Sequence, residues 1–327
     1  MKLLSRRTLG TLLIAAAAMS PGSALAAEKI TYLFPAPDFL PAFAPFHLAR
    51  AKGYYKTEDL EVDFQVGKGG ADVSKQVALG NAEIGGATVD TVMVVRANGL
   101  PVKAVGQLGN GALYQIVVRK DANVKTLADL KGKKVGVLGF QDNGFYNLQG
   151  ALATVGLTRD DVSIQAVGPA GVVQLMISGD LQAISAVPES TAAIEAAGVP
   201  VDVYIITEFF PGMAQAVVVS EDTMKKRPDA IRKFVRATLK AVRDIEADPD
   251  GMAKDYTAAV KQHAGKEASI ADIFKRYGRF VYRSKDAELG TFDKARVQTM
   301  ADFYVKAGIL PQAAKAEDMF TNEFVSR

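Results

Sequence analysis

Apolar residues fall into short alternating runs and three- and four-spaced stripes, and the two patterns take turns along most of the chain. Lys29 to Phe34 is rich in β-branched and aromatic residues and predicts a buried strand. A Pro-rich loop, PAPDFLPAFAP, follows, and then a helix through His47 to Lys52 that stops at Gly53. Leu60 to Val66 alternates as a second strand. Gly67 to Gly70 turns into a helix that lines up Val73, Val77 and Ala78 and ends at Gly80. Ala82 to Ala87 predicts a short strand, and Asp90 to Ala97 a helix closed by Asn98-Gly99. Such alternation predicts a parallel or mixed sheet with helices on both faces, hence an α/β protein. The pattern restarts at Lys133 to Leu138, and the next helix aligns Phe145, Leu148, Leu152 and Val155. Two further β-rich runs, Tyr114 to Arg119 and Ala214 to Ser220, are expected to pair with each other as hinge strands. From Asp222 onward the pattern is helical. Ile231, Phe234, Val235, Leu239, Val242 and Ile245 form one stripe and Thr291 to Gly308 carries another, both expected to pack outside the first lobe.

The restart is a repeat. The segment from Val66 to Val102, VGKGGADVSKQVALGNAEIGGATVDTVMVVRANGLPV, runs parallel to VGPAGVVQLMISGDLQAISAVPESTAAIEAAGVPV from Val167 to Val201. Gly80 and Gly179, Gly99 and Gly198, and Pro101 and Pro200 all stand 99 positions apart. More loosely, GYYKTEDLEV from Gly53 resembles GLTRDDVSI from Gly156. A unit this long is a β-α-β module rather than a solenoid repeat of about 20–50 residues. Two copies predict two similar lobes with a cleft between them. The expected division is 27–115 with 218–327 as lobe 1 and 116–217 as lobe 2.

Composition bears on where the protein works. Lys2, Arg6 and Arg7, the apolar run Leu9 to Ala18 and Ala24-Leu25-Ala26 read as an export leader over 1–26. Ser5-Arg6-Arg7-Thr8-Leu9 fits a twin-arginine motif as well as an ordinary signal, and the run is shorter than the roughly 20 apolar residues of a spanning helix. The chain has 39 basic and 36 acidic residues; the leader holds three of the basic ones and no acid, so the remainder is neutral. Neutrality without a basic cluster argues against nucleic acid and anionic membranes as partners. The absence of cysteine excludes disulfides, thiolate metal sites and a lipid anchor. The expectation is a soluble, monomeric protein of a bacterial periplasm, with neither metal nor cofactor.

PFHLARAKGYYKTEDLEVDF, ALGNAEIGGA, RANGLPVKAV and TLADLKGKKVGVLG together resemble the nitrate, sulfonate, taurine (SsuA) and NMT1/THI5-like group of ABC-transporter substrate-binding proteins, in order from Ile30 to about Pro211. The resemblance implies a type II periplasmic binding protein: two α/β lobes joined by two hinge strands, closing over one small ligand that is passed to a membrane permease.

In open α/β sheets, ligands sit beyond the carboxyl ends of strands and before helix N-termini. That rule selects Pro35–Pro45, Gly67–Ala71, Thr88–Thr91 and Gly139–Tyr146, with Gly168–Gly171 and Val187–Ser190 as second-lobe equivalents. The repeat sets Asp90 against Glu189, and Asp38 falls opposite Asp142. Each of these carboxylates also suits a helix first turn or cap, worth roughly 0.3–1 kcal/mol there. Lys68 is the only cation in the loops, so the set favours a neutral or cationic ligand rich in hydrogen-bond donors. Phe39, Phe43 and Tyr146 are candidates to stack on a flat ring, whereas periodicity assigns Phe34 and Phe145 to the core. Gly69, Thr88, Gln141, Asn143 and Ser190 complete the loop candidates, and Asn110 and Phe210 border the hinge. The ligand these residues suggest is a planar nitrogen heterocycle such as a pyrimidine precursor of thiamine; a sulfonate, nitrate or taurine-type anion is the alternative.

Enzyme readings find less support. His47 and His263 are the only histidines and have no sequence reason to meet, no GxSxG elbow exists, and GKGG at Gly67 lacks the spacing of a P-loop. The synthase branch of the resembled family uses a cysteine-rich motif that this chain lacks. A dehydratase-like activity on the same fold is the remaining enzyme alternative, kept open by the four carboxylates.

Overall fold

Most β-rich runs lead through a short turn into a helix, and the observed elements follow from that alternation. The computed structural model describes residues 27–325; the expected leader lies outside them. The first run comprises β1 (Glu28–Phe34), α1 (Ala44–Ala51), α2 (Tyr54–Thr57), β2 (Leu60–Val66), α3 (Gly70–Ala78), β3 (Ile84–Ala87), α4 (Val89–Ala97) and β4 (Val102–Gln107). The second comprises β5 (Gln115–Arg119), β6 (Lys134–Val137), α5 (Asn143–Ala153), β7 (Ser163–Ala166), α6 (Gly168–Ser178), β8 (Ala183–Ala186), α7 (Pro188–Ala196) and β9 (Val201–Ile205). The chain returns through β10 (Ala216–Ser220) to α8 (Glu221–Lys226), α9 (Pro228–Ala247), α10 (Pro249–Ala259), α11 (Glu267–Tyr277), a π-helical turn at Gly278–Tyr282, α12 (Lys294–Lys306) and α13 (Ala316–Met319).

The repeat is visible in these bounds. β3 and α4 recur as β8 and α7 at the 99-residue offset at both ends, and β4 recurs as β9 at its start. The matched glycines agree too: Gly80 and Gly179 both have positive φ, as do Gly99 and Gly198.

The strands form two five-stranded sheets of the same plan, β2-β1-β3-β10-β4 and β7-β6-β8-β5-β9. Three leading strands of each are parallel, and the fourth is reversed: β10 runs antiparallel to β3 and β4, and β5 to β8 and β9. The two expected hinge strands are therefore equivalents but do not pair with each other. Each satisfies its backbone inside a different sheet, as a buried polar backbone requires. What runs side by side are the crossings next to them, where Leu108 N–H donates to Gln215 O (2.8 Å) and Leu113 N–H to Met213 O (3.0 Å). β5 begins one residue before, and β10 two residues before, the expected crossing points.

The α9 stripe is buried as its spacing requires, with Phe234 stacked against Tyr32 of β1 (5.4 Å) and Tyr55 of α2 (5.2 Å). The C-terminal helices do not merely coat the first lobe, however. α11 reaches α7 of the second lobe through the ion pair of Arg276 with Glu195 (2.8 Å). Tyr304 of α12 stacks on Phe210 (5.6 Å) and bonds to residues of both lobes. Their apolar stripes resemble those of any surface helix, so periodicity alone could not show that α11 and α12 straddle the seam.

Candidate functional site

The loops at the carboxyl ends of the parallel strands of the two sheets meet face to face. Gly69 and Gly70 lead into α3, and the second lobe lies directly against them. Ala71 N–H donates to Gln141 O (3.2 Å), and a Cβ on Gly69 would stand 2.4 Å from that same oxygen. Asn143, at the start of α5, accepts Thr88 N–H (3.3 Å) and the Thr91 hydroxyl (2.7 Å) through its Oδ1. Backbone and side chains thus interlock across the seam, and the lobes are shut.

Three carboxylates lie in this seam, each held from the other side or from its own helix. Asp90 is buried; its Oδ1 accepts Thr91 N–H (2.9 Å), and its Oδ2 accepts Asn147 Nδ2 (3.3 Å) and the Tyr304 hydroxyl (2.9 Å). Burial raises its pKa, opposed by those donors. Asp142 caps α5 by accepting Gly144 N–H (2.8 Å) and also takes the Tyr114 hydroxyl (3.0 Å). Its burial outweighs both bonds and lifts it to about 6. Glu189, in the first turn of α7, accepts Ala42 N–H (3.2 Å) and the Tyr277 hydroxyl (2.6 Å), both from the opposite side, and desolvation raises it as well. Every shift has the same sign because desolvation exceeds what the donors return and no cation is near enough to offset it.

The remaining candidates divide. Lys68 is exposed at the mouth, where with Pro35, Gly67, Gly139 and Asp142 it lines a cavity of about 160 Å³. Phe39 and Tyr146 are partly buried, Gln141 is exposed, and Ser190 is buried at the α7 N-terminus. Phe43 belongs to the first-lobe core against Phe34 (4.8 Å), and Phe210 is buried against Gly150 and Tyr304; packing claims both rings. Asn110 is spent on the hinge, its Nδ2 donating to Arg283 O and Ala287 O (3.1 Å each). The Asp38 side chain has no hydrogen-bond partner among the described residues. Its carbonyl accepts from His47 Nε2 (2.9 Å), while His263 Nε2 (2.7 Å) and the Tyr256 hydroxyl (2.6 Å) bond Phe39 O. The two histidines therefore converge on one loop from either side of Tyr256, a long-range meeting that their sequence neighbourhoods do not encode.

Sequence reasoning missed Asn147, Tyr304, Tyr277 and Tyr114. Asn147 carried a signal, standing four residues after Asn143 on a helix that is otherwise mostly apolar, so both amides share one face. Removing the Tyr304 hydroxyl with Tyr304→Phe leaves Asp90 and Tyr146 O short of a donor. It should cost about 1–2 kcal/mol in urea denaturation; an unchanged midpoint would show that the bond contributes nothing.

Two α/β sheets of one plan, joined by two crossings and meeting at their loop ends, define the type II periplasmic binding protein fold. The alkanesulfonate-binding protein SsuA of Xanthomonas axonopodis pv. citri, solved with MOPS bound, superposes with a TM-score of 0.69 at 17% identity, covering 90% of this chain and 99% of that one. The chain belongs to the NMT1/THI5-like family, whose model matches residues 40–252. Among its relatives are the riboflavin-binding protein RibY of Chloroflexus aurantiacus, 27% identical over 94% of this chain and 89% of the relative, and a 4-amino-5-hydroxymethyl-2-methylpyrimidine phosphate synthase of Aspergillus parasiticus, 25% identical over 92% and 89%.

Proposed function

We propose that the protein is an extracytoplasmic solute-binding protein that captures a planar nitrogen heterocycle in the seam and delivers it to an ABC permease. Residues 27–115 with 218–327 act as one jaw and 116–217 as the other. The observation that carries this reading is the chemistry of the seam: Asp90, Asp142 and Glu189 accept hydrogen bonds there, the buried Asn147 Oδ1 accepts none, and Lys68 at the mouth is the nearest loop cation. Such a surface suits a ligand that donates N–H and O–H groups and repels an anion. Phe140, 51% exposed beside the mouth, adds an uncovered ring for stacking. A flavin and a pyrimidine both answer that description, in keeping with the names of the two relatives.

The mechanism is closure. Ligand-sized pockets run to about 300–1,000 Å³, so the 160 Å³ mouth admits one only when the jaws part. In the shut form the polar groups pair with each other; a bound ligand replaces those partners and so joins the lobes through itself. Asn147 and the three carboxylates bind and orient the ligand, and no step requires covalent chemistry. Among the described residues no helix is long and apolar enough to cross a membrane, and a permease supplies the channel in this scheme.

A thermal-shift series with riboflavin, 4-amino-5-hydroxymethyl-2-methylpyrimidine, taurine and nitrate tests the ligand class. The largest rise in melting temperature is expected with one of the two heterocycles. A clear lead for taurine or nitrate would overturn the choice while leaving closure intact, and turnover of the pyrimidine or its phosphate would overturn the binding role.

A further inference from the structure

Behind the hinge, away from the seam mouth, lies a second concavity of about 580 Å³. Its wall draws on the first crossing at Asn110, on the end of the second lobe at Thr207 and Glu208, and on the C-terminal segment at Arg279, Phe280, Arg283 and Arg296. Three guanidinium groups thus line the wall with Glu208, and with Asp286 paired to Arg283 the balance is still positive, unlike the seam.

The arginines differ in how they are spent. Arg296 donates to Asn110 O (2.6 Å) and to Gly212 O, so it ties both crossings to α12. Arg283 pairs with Asp286 (2.6 Å). Arg279 has no ion-pair partner among the described residues; its guanidinium lies 4.9 Å from the centroid of the Phe280 ring.

The backbone that presents them is unusual. Arg279 and Phe280 sit in the π-helical turn, and Arg283 follows in the left-handed region at φ 45, a conformation costly for a bulky side chain. The turn is held by Asn110 N–H on Tyr282 O (2.9 Å) and Gly111 N–H on Val281 O (2.9 Å). A Cβ on Gly111 would stand 1.9 Å from Phe280 O, so this approach requires glycine. The turn, at the C-terminal end of α11, brings a cation without an ion-pair partner and an aromatic face into one cavity.

We propose that this cavity is a second ligand site, one that takes a small oxyanion carrying a flat apolar group. The oxyanion is held by Arg279, and the flat group lies against Phe280. A guanidinium matches the paired oxygens of a phosphate or carboxylate in its own plane, and its stacking on the ring costs it little of that capacity. The cavity volume falls in the range of about 300–1,000 Å³ typical of small-molecule sites. Because both crossings line the site or bond to its wall, an occupant bears on the hinge. The site stands independently of what the seam binds.

Titration calorimetry with phenyl phosphate and with inorganic phosphate, at matched ionic strength, tests the assignment. Expected is saturable 1:1 binding, tighter for phenyl phosphate. Arg279→Ala should weaken it about tenfold, as loss of one charge-assisted contact does, with Arg279→Lys restoring part. Lys226→Ala on α8 should leave it unchanged. Absence of saturation, equal affinity for the two phosphates, or equal weakening by Arg279→Ala and Lys226→Ala would overturn the proposal.

Discussion

Substitution of Gly70 by leucine is expected to leave each lobe folded, prop the seam open, and weaken the seam ligand by more than about 100-fold. The three atoms nearest a Cβ at this position all belong to Asn143 of the opposite lobe, the closest being its Oδ1 at 2.0 Å. Asn143 has little freedom to yield, since that oxygen holds Thr88 N–H and the Thr91 hydroxyl. The φ of Gly70 is outside the positive region, so a side chain there adds no backbone strain. Gly69 next to it is a poorer test, because its φ of 98 adds backbone strain to the collision with Gln141 O. Small-angle scattering should report a larger radius of gyration for Gly70→Leu than for the wild type, with an unchanged melting transition for the separate lobes. A variant that scatters like the wild type and still binds would show that the interlock seen here is not the closing contact.

Much of this architecture is legible in the sequence because the module is written twice. Gly80, Gly99 and Pro101 recur at one offset, and the offset survives in β3 and β8 and in α4 and α7. Strand ends were legible for the same reason, and with them the loops that meet at the seam. Local rules place Asp90 and Glu189 in first helical turns and Asp142 at a cap, but they cannot say what else the carboxylates touch. Tyr304 and Tyr277 come to those carboxylates from α12 and from the end of α11, across 214 and 88 positions of sequence. No periodicity encodes such a meeting. Phe43 and Phe210 mislead for a related reason: a loop phenylalanine looks the same whether a ligand or the core covers it. The hinge strands mislead because a β-rich run states its need for a partner without naming one.

Acidification is expected to relieve a penalty that Asp142 carries in the shut protein, and Asp142→Asn to abolish that part of the pH response. Asp142 rises from 3.8 to about 6 because burial penalises its charge more than Gly144 N–H and the Tyr114 hydroxyl favour it. A carboxyl raised in the folded state contributes stability fully below its unfolded pKa, and that contribution is lost as pH climbs through its folded value. The window therefore runs from 3.8 to about 6, and the ionised form at pH 7 carries a penalty of about 3 kcal/mol. Asp90 and Glu189 are shifted the same way by the same cause, whereas His47, lowered by burial, works against the slope, so the Asp142 share is read as the difference between wild type and variant. Asparagine keeps an acceptor for both donors to Asp142 and has no charge to desolvate. Asp142→Asn should accordingly gain about 1–2 kcal/mol at pH 7, nothing near pH 4, and bind a donor-bearing ligand about tenfold more weakly. Melting temperatures measured from pH 4 to pH 8 separate this from a purely capping role. A purely capping role predicts no change at any pH, because asparagine caps as well as aspartate, whereas a buried charge awaiting a ligand predicts opposite signs for stability and binding.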